Sequence, residues 1–355
     1  MKFLGFAALE AKAALAPFSF ERRALRADDV LIDILYCGVC HSDLHMAQND
    51  WGFARYPLVP GHEIVGRVQQ VGAQVSKFKV GDLVGVGCMV DSCRHCSACA
   101  QGEEQYCEQG NTATYAGIDR HDGQLTFGGY STGIICSQDF VLRVSEQLDT
   151  QAVAPLLCAG ITTWSPLRHW NVGPSSKVGV IGLGGLGHMA IKLAHALGAE
   201  VTLFTRSQHK IEDAQRLGAD HVVLSQDEKQ MQAVKNQFDL IIDTVPNQHD
   251  IQAYIPTLSL NGSLVFVGYL GPLEEMLNTV PLILGRRSVA GSLIGGIQDT
   301  QDMLDFCAEH NITADVEVIA MQEINHAFAR MQNSDVKYRF VIDMNSLKSV
   351  NEASA

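Results

Sequence analysis

The 355-residue chain has no apolar run approaching the roughly eighteen residues that a membrane-spanning helix needs, so no membrane is expected among its partners. It also lacks any block of Lys and Arg. Its 39 acidic against 26 basic residues give a formal charge of -13, which excludes nucleic acid and anionic membrane surfaces as expected partners because both would repel it. Internal repeats and low-complexity tracts are missing, which excludes solenoids, propellers and linker-like chains. The opening MKFLGFAALEAKAALAP imitates a signal peptide, but Glu10 and Lys12 break its apolar stretch too early. It reads instead as a first strand and turn, and a cytoplasmic location is expected. What remains is an ordinary globular composition, 46% hydrophobic, at a length that suits two domains.

Cysteine is not scarce. Five of ten cysteines crowd between Cys88 and Cys107, which in a large mixed chain suits metal binding in a reducing compartment better than disulfides. Cys93-x2-Cys96-x2-Cys99-x7-Cys107 places four thiolates in fifteen residues, the spacing of a closed tetrahedral zinc site. Arg94, His95, Gln101, Gly102, Glu103 and Glu104 make this segment too polar for four unrelated core cysteines. An iron-sulfur cluster is the rival, since ferredoxin runs also begin C-x2-C-x2-C, but they continue with x3 and Cys-Pro rather than x7 and Cys107-Glu108. Cys88 is expected in an apolar strand as a buried thiol.

From about Pro17 to Arg143 short β runs alternate with Gly- and Pro-rich turns. From Gln151 the texture changes. Lys177 to Ile181 reads as β, Leu186 to Leu197 as helix and Glu200 to Phe204 as β, and the alternation continues, as in a doubly wound parallel sheet. Arg339 to Asp343 reads as a closing strand that returns to the first domain. The expected fold class is α/β.

Gly182-Leu183-Gly184-Gly185-Leu186-Gly187 carries G-x-G-x-x-G after a strand and before a helix. Gly182 and Gly184 permit a tight turn and close approach of a pyrophosphate to the positive end of the helix, and Gly187 permits close packing. At the end of the next strand, NAD enzymes place an acid for the ribose hydroxyls. This chain reads Phe204-Thr205-Arg206-Ser207, and a 2′-phosphate suits Thr205, Arg206 and Ser207, with Lys210 nearby. NADP(H) is therefore the expected cofactor, although Arg206 could also be a solvated loop cation.

Cys40, His62 and Cys158 form a second candidate ligand set. Two cysteines and a histidine with one vacant position is the arrangement of catalytic zinc in alcohol dehydrogenases, although singly a core cysteine or surface histidine would explain each. The run Gly61-His62-Glu63-x2-Gly66-x5-Gly72-x2-Val75, then Gly81-Asp82-x-Val84, resembles the signature of the zinc-containing medium-chain dehydrogenases and reductases. Gly38-Val39-Cys40-His41-Ser42-Asp43 ahead and Gly182 to Gly187 behind extend the resemblance from about residue 30 to 343. It is nearest to the cinnamyl alcohol dehydrogenase type, including bacterial broad-range aldehyde reductases.

That resemblance implies a mostly-β GroES-like catalytic domain, residues 1–150 and 296–355, and a Rossmann NADP-binding domain, residues 151–295. It implies two zinc ions per chain, a catalytic one on Cys40, His62 and Cys158 and a structural one on Cys93, Cys96, Cys99 and Cys107. Glu63 matches a carboxylate that can visit the metal, and Asp43 one that holds the second ring nitrogen of His62. Ser42 takes the hydroxyl position beside the reacting oxygen, and His45 the outer end of a proton relay. Thr162 would pack on the nicotinamide and Arg339 would contact cofactor phosphate; Cys37 matches no ligand and reads as core. Relatives imply a homodimer.

The expected reaction is hydride transfer between NADP(H) and an alcohol or aldehyde, with a zinc Lewis acid polarising the oxygen and Ser42 and His45 passing the proton. Trp51 is a candidate pocket wall or an ordinary loop anchor. Plant cinnamyl enzymes carry a Trp two residues before the position of Tyr115, where this chain has Ala113, so a wide substrate range is expected. Alternatives are an NAD-dependent polyol-type enzyme, which usually replaces one catalytic Cys with Glu, and a zinc-free quinone-reductase-like or structural relative.

Overall fold

A computed structural model describes residues 1–268, 271–273 and 276–347. The chain divides into two compact units, Met1–Cys158 with Gly295–Ala355, and Ala159–Ile294.

The first unit opens with an antiparallel pair, β1 (Lys2–Ala7) and β2 (Ala16–Glu21). β3 (Asp29–Val39) follows, an eleven-residue strand rich in Val, Ile and Leu and buried along most of its length, as a strand covered on both faces should be. β4 (Ile64–Val71), β5 (Leu83–Val86), β6 (Met89–Asp91), β7 (Thr112–Ala113), β8 (Gly133–Ser137) and β9 (Leu142–Arg143) are shorter. β3 pairs antiparallel with β4 along one edge and with β8 along the first half of the other. The opening segment does form strand and turn as expected.

The second unit is a six-stranded parallel sheet with helices between its strands: β10 (Lys177–Ile181), β11 (Glu200–Thr205), β12 (His221–Leu224), β13 (Phe238–Asp243), β14 (Leu258–Phe266) and β15 (Ser288–Gly291). The spatial order β12-β11-β10-β13-β14-β15 reverses direction between β10 and β13. Such a switch point opens a crevice at the carboxyl ends of the strands, where nucleotides bind. Phe204, Phe238, Tyr254 and Leu258 pack its core.

The chain then returns to the first unit through helix Ile297–His310, β16 (Val316–Ala320), helix Ile324–Gln332 and β17 (Arg339–Asp343). β17 pairs antiparallel with the second half of β3, Phe340 opposite Val39, giving the sheet order β16-β17-β3-β4-β5-β9. The last strand of the chain therefore buries the strand that precedes Cys40.

Candidate metal centres and nucleotide site

Cys40 follows β3 and caps the start of helix His41–Gln48; His62 and Glu63 immediately precede β4; Cys158 closes the 3-10 turn Ala154–Leu157. Strand pairing brings these distant pieces together. One ligand atom from each of Cys40, His62, Glu63 and Cys158 lies within 4.8 Å of the others, and all four residues are buried. The Cys40 and Cys158 sulfurs stand 4.0 Å apart. Two sulfurs at tetrahedral corners, each about 2.3 Å from a zinc, would stand about 3.8 Å apart.

Electrostatics also favour a dication here. The hydrogen bond between the two sulfurs draws Cys40 well below the usual thiol range and drives Cys158 well above it, so one proton is shared where two thiolates would repel. Burial raises the Glu63 carboxyl to about 7 despite Arg339 beside it, and its Oε2 has no hydrogen-bond partner. A buried carboxyl with one unpartnered oxygen, one of whose oxygens lies within 4.8 Å of two sulfurs and an imidazole nitrogen, completes a donor set for a metal ion.

Asp43 is fully buried and orients the imidazole. Its Oδ1 accepts from His62 Nδ1 at 3.1 Å and from the Gly61 amide at 3.0 Å; its Oδ2 accepts from the Cys40 amide at 2.9 Å. With Nδ1 donating, Nε2 is the coordinating nitrogen, the usual division in metal-bound histidines. Burial opposes charge on His62, but Asp43 outweighs it and raises the ring's pKa well above normal.

Arg339, in β17, pairs with Glu63. This partner was not legible in the sequence, where the resemblance implied only a phosphate contact. Gly38 was a further missed signal: a Cβ there would overlap the Glu63 carboxylate. Cys37 is core as expected, fully buried. Cys88 departs from expectation: the chain bends after β5 before β6 begins, leaving it outside both strands and only half-buried, with its sulfur 3.8 Å from the Leu157 carbonyl.

Ser42 and His45 lie three residues apart in helix His41–Gln48 and so share a face, both half-buried. His45 Nδ1 stands 2.8 Å from Asp50 Oδ2, a partner the sequence reading did not foresee. Trp51 packs 5.4 Å from the His45 ring and stacks on Phe53 at 5.8 Å. Tyr115 lies 5.7 Å from the His62 ring, and Ala113 ends β7.

The four-cysteine segment folds into a compact lobe in which one sulfur from each of Cys93, Cys96, Cys99 and Cys107 lies within 4.8 Å of the rest. Cys93 and Cys99 sulfurs are 3.9 Å apart, again near the tetrahedral spacing. Amides point at the sulfurs: Cys93 donates to Cys107 at 3.4 Å, Cys96 to Cys93 at 3.3 Å and Glu108 to Cys96 at 3.4 Å. The Cys99 amide, and then that of Glu108, hold Cys96 down to about 6, whereas burial pushes Cys99 up to about 12. No corner faces a substrate, so this site suits a structural ion.

In the second unit, Gly182 follows β10 with φ +89°, and its amide donates to the Phe204 carbonyl at 3.0 Å. A Cβ on Gly187 would collide with the Gly182 carbonyl, whereas one on Gly184 would meet nothing within 4 Å. Gly184 thus borders open space at the start of helix Gly187–Ala196, the place for a pyrophosphate. Gly185 and Leu186 complete the turn. Thr205 ends β11, with its hydroxyl accepting from the Ser207 amide at 3.1 Å; Arg206 is exposed. Lys210 reaches back to the Leu183 carbonyl at 2.9 Å. Burial first, and then Arg206, lowers its pKa, and two adjacent cations with a repulsive contact are what an anion would relieve. Thr162 is buried in helix Ala159–His169.

Comparison with known proteins gives the same picture. Residues 26–146 match the alcohol dehydrogenase GroES-like domain and residues 185–309 the zinc-binding dehydrogenase domain. The chain is 51% identical over 348 residues to the aldehyde reductase YahK of Escherichia coli, covering 98% of this chain and 99% of that one. It is 51% identical over 346 residues to the NADP-dependent alcohol dehydrogenase C 1 of Mycolicibacterium smegmatis, covering 97% and 98%. The crystal structure of a cinnamyl alcohol dehydrogenase from Helicobacter pylori complexed with NADP(H) superposes with a TM-score of 0.90 at 43% identity, covering 97% of this chain and 99% of that one.

Proposed function

The chain belongs to the zinc-binding alcohol dehydrogenase family, and we propose that it reduces a broad range of aldehydes, and oxidises the matching primary alcohols, with NADP(H). One observation carries this reading: two sulfurs, an imidazole nitrogen and a carboxylate oxygen of Glu63 converge on one buried point. Zinc bound there would supply Lewis-acid polarisation of a carbonyl, and NADPH would supply the hydride. A second zinc on Cys93, Cys96, Cys99 and Cys107 would be structural.

The chain's own residues do the rest. Cys40, His62 and Cys158 hold the metal; Asp43 fixes the His62 tautomer; Glu63, paired with Arg339, is a reserve ligand. Ser42 holds the proton for the product oxygen, and His45, anchored by Asp50, relays it to water. The Gly182–Gly187 turn takes the pyrophosphate, Thr162 the nicotinamide, and Thr205, Arg206, Ser207 and Lys210 the 2′-phosphate. Trp51 forms an aromatic wall, while Ala113 leaves room for varied aldehydes.

The exposed apolar side chains Val280, Ile283 and Leu284, next to edge strand β15, support a homodimer of this chain. The acidic charge and the absence of a long apolar helix among the described residues accord with a cytoplasmic enzyme that avoids nucleic acid.

Metal analysis combined with an aldehyde panel tests the reading. Two zincs per chain and NADPH-dependent turnover of both aromatic and aliphatic aldehydes are expected; a chain with one zinc or none would sink it. Within it, Ser42→Ala should cut turnover at least roughly 100-fold with zinc content intact. Undiminished turnover would remove Ser42 from the relay.

A further inference from the structure

We propose that Tyr130 is a positioning residue for the catalytic metal site: its hydroxyl locks the orientation of Asp43, and through Asp43 that of His62, and so sets how firmly the site keeps its ion. The proposal rests on Cys40, His62 and Cys158 being zinc ligands.

Asp43 receives four aligned donors, two on each oxygen. Three of them come from Cys40, Gly61 and His62, the ligand residues and a neighbour. The fourth is the Tyr130 hydroxyl, which donates to Oδ2 at 3.1 Å from a different part of the chain. Without it, Asp43 would keep the Cys40 amide and the neighbouring Tyr115 phenol but lose the donor that comes from the 128–131 strip, and the carboxylate would be freer to turn about its Cβ–Cγ bond. His62 would then lose its fixed acceptor, and with it the ring orientation that aims Nε2.

Tyr130 is itself held so that it cannot swing away. It is fully buried, and its ring closes on Gly61, where a Cβ would lie 2.7 Å from the Tyr130 Cδ1. The backbone of 128–130 runs beside 59–61 through three amide bonds: Gly128 to the Val59 carbonyl at 2.8 Å, Gly129 to Gly61 at 2.8 Å and Tyr130 to Pro60 at 2.9 Å. Behind this segment Arg22 lies near the rings of Phe3 and Phe20. It donates to the Phe127 carbonyl at 2.7 Å, to that of Gly128 at 2.9 Å and to the Ser131 hydroxyl at 2.9 Å. The two terminal nitrogens of this arginine donate to backbone and a hydroxyl, pinning the strip that carries the phenol.

The test is chelator-driven zinc release from the holoenzyme and from Tyr130→Phe, which keeps the ring and deletes only the donor. Alkylation of the freed thiols identifies each phase, through Cys40 and Cys158 or through Cys93 to Cys107. Release from the first set should accelerate roughly tenfold, the low end of what the outer partners of a metal histidine contribute, while release from the second stays unchanged. The four-cysteine phase serves as the internal control for folding. An unchanged first phase, or equal acceleration of both, overturns the role of Tyr130. A wild-type chain that binds no ion on Cys40 and Cys158 overturns the ligand reading beneath it instead.

Discussion

Gly38 looks like an incidental strand residue until the Glu63 carboxylate is seen to fill the volume its side chain would need. The same economy of space governs the other decisive residues. Asp43 is buried at zero exposure, and four donors replace the water it lost. Cys93, Cys96, Cys99 and Cys107 were legible from their spacing, whereas Cys40, His62 and Cys158, each ordinary when taken singly, were legible only through the family resemblance. Arg339 and Tyr130 were not, since nothing local marks a partner that arrives through strand pairing. At the cofactor end, Arg206 sits exposed beside Lys210 after β11 and, among the described residues, donates to no acid. Arg206→Ala should lower the ratio of NADPH to NADH efficiency by about 10- to 100-fold, the worth of a charge-assisted bond of about 1.5–3 kcal/mol. An unaltered ratio in steady-state kinetics would free Arg206 from that role.

Among the elements, the loop around Asp119 shows how the first unit is stapled. Arg26 forks onto Asp119 at 3.0 and 2.9 Å, and Arg23 reaches it at 3.2 Å. Burial works to raise the Asp119 carboxyl, but Arg26 and the His121 and Asp122 amides outweigh it and hold it at about 2. A carboxyl depressed in the folded state below its unfolded value of about 3.9 adds stability above pH 4 and loses it as pH falls toward 2. With solvent screening the contribution is under about 1 kcal/mol. Asp119→Asn should therefore lower the urea midpoint at pH 7 and converge with wild type near pH 2; a constant difference across that window would refute the linkage. The strands themselves were readable from alternating β-rich runs, and β10, β11 and the turn between them from the glycine spacing. Which strands pair was not, because β3 takes β8 along its first half and β17 along its second, a choice made by packing.

At the scale of the whole molecule, the exposed Ile283 and Leu284, 76% and 80% accessible, are costly for a lone chain and natural for a pair. Sedimentation should give about twice 38.6 kDa, and Leu284→Glu should yield monomers that still carry zinc. A wild-type monomer would end the homodimer proposal.

The closing strand also has a temporal meaning. The four-cysteine lobe spans fifteen consecutive residues, so a nascent chain can trap an ion there soon after Cys107 leaves the ribosome. The other centre gathers Cys40 and Cys158 under a sheet that β17 finishes, and its Arg339 is synthesised only after the entire nucleotide unit. Order of synthesis thus separates the two centres: the four-cysteine lobe can be complete while the enclosure of the other still waits for the end of the chain.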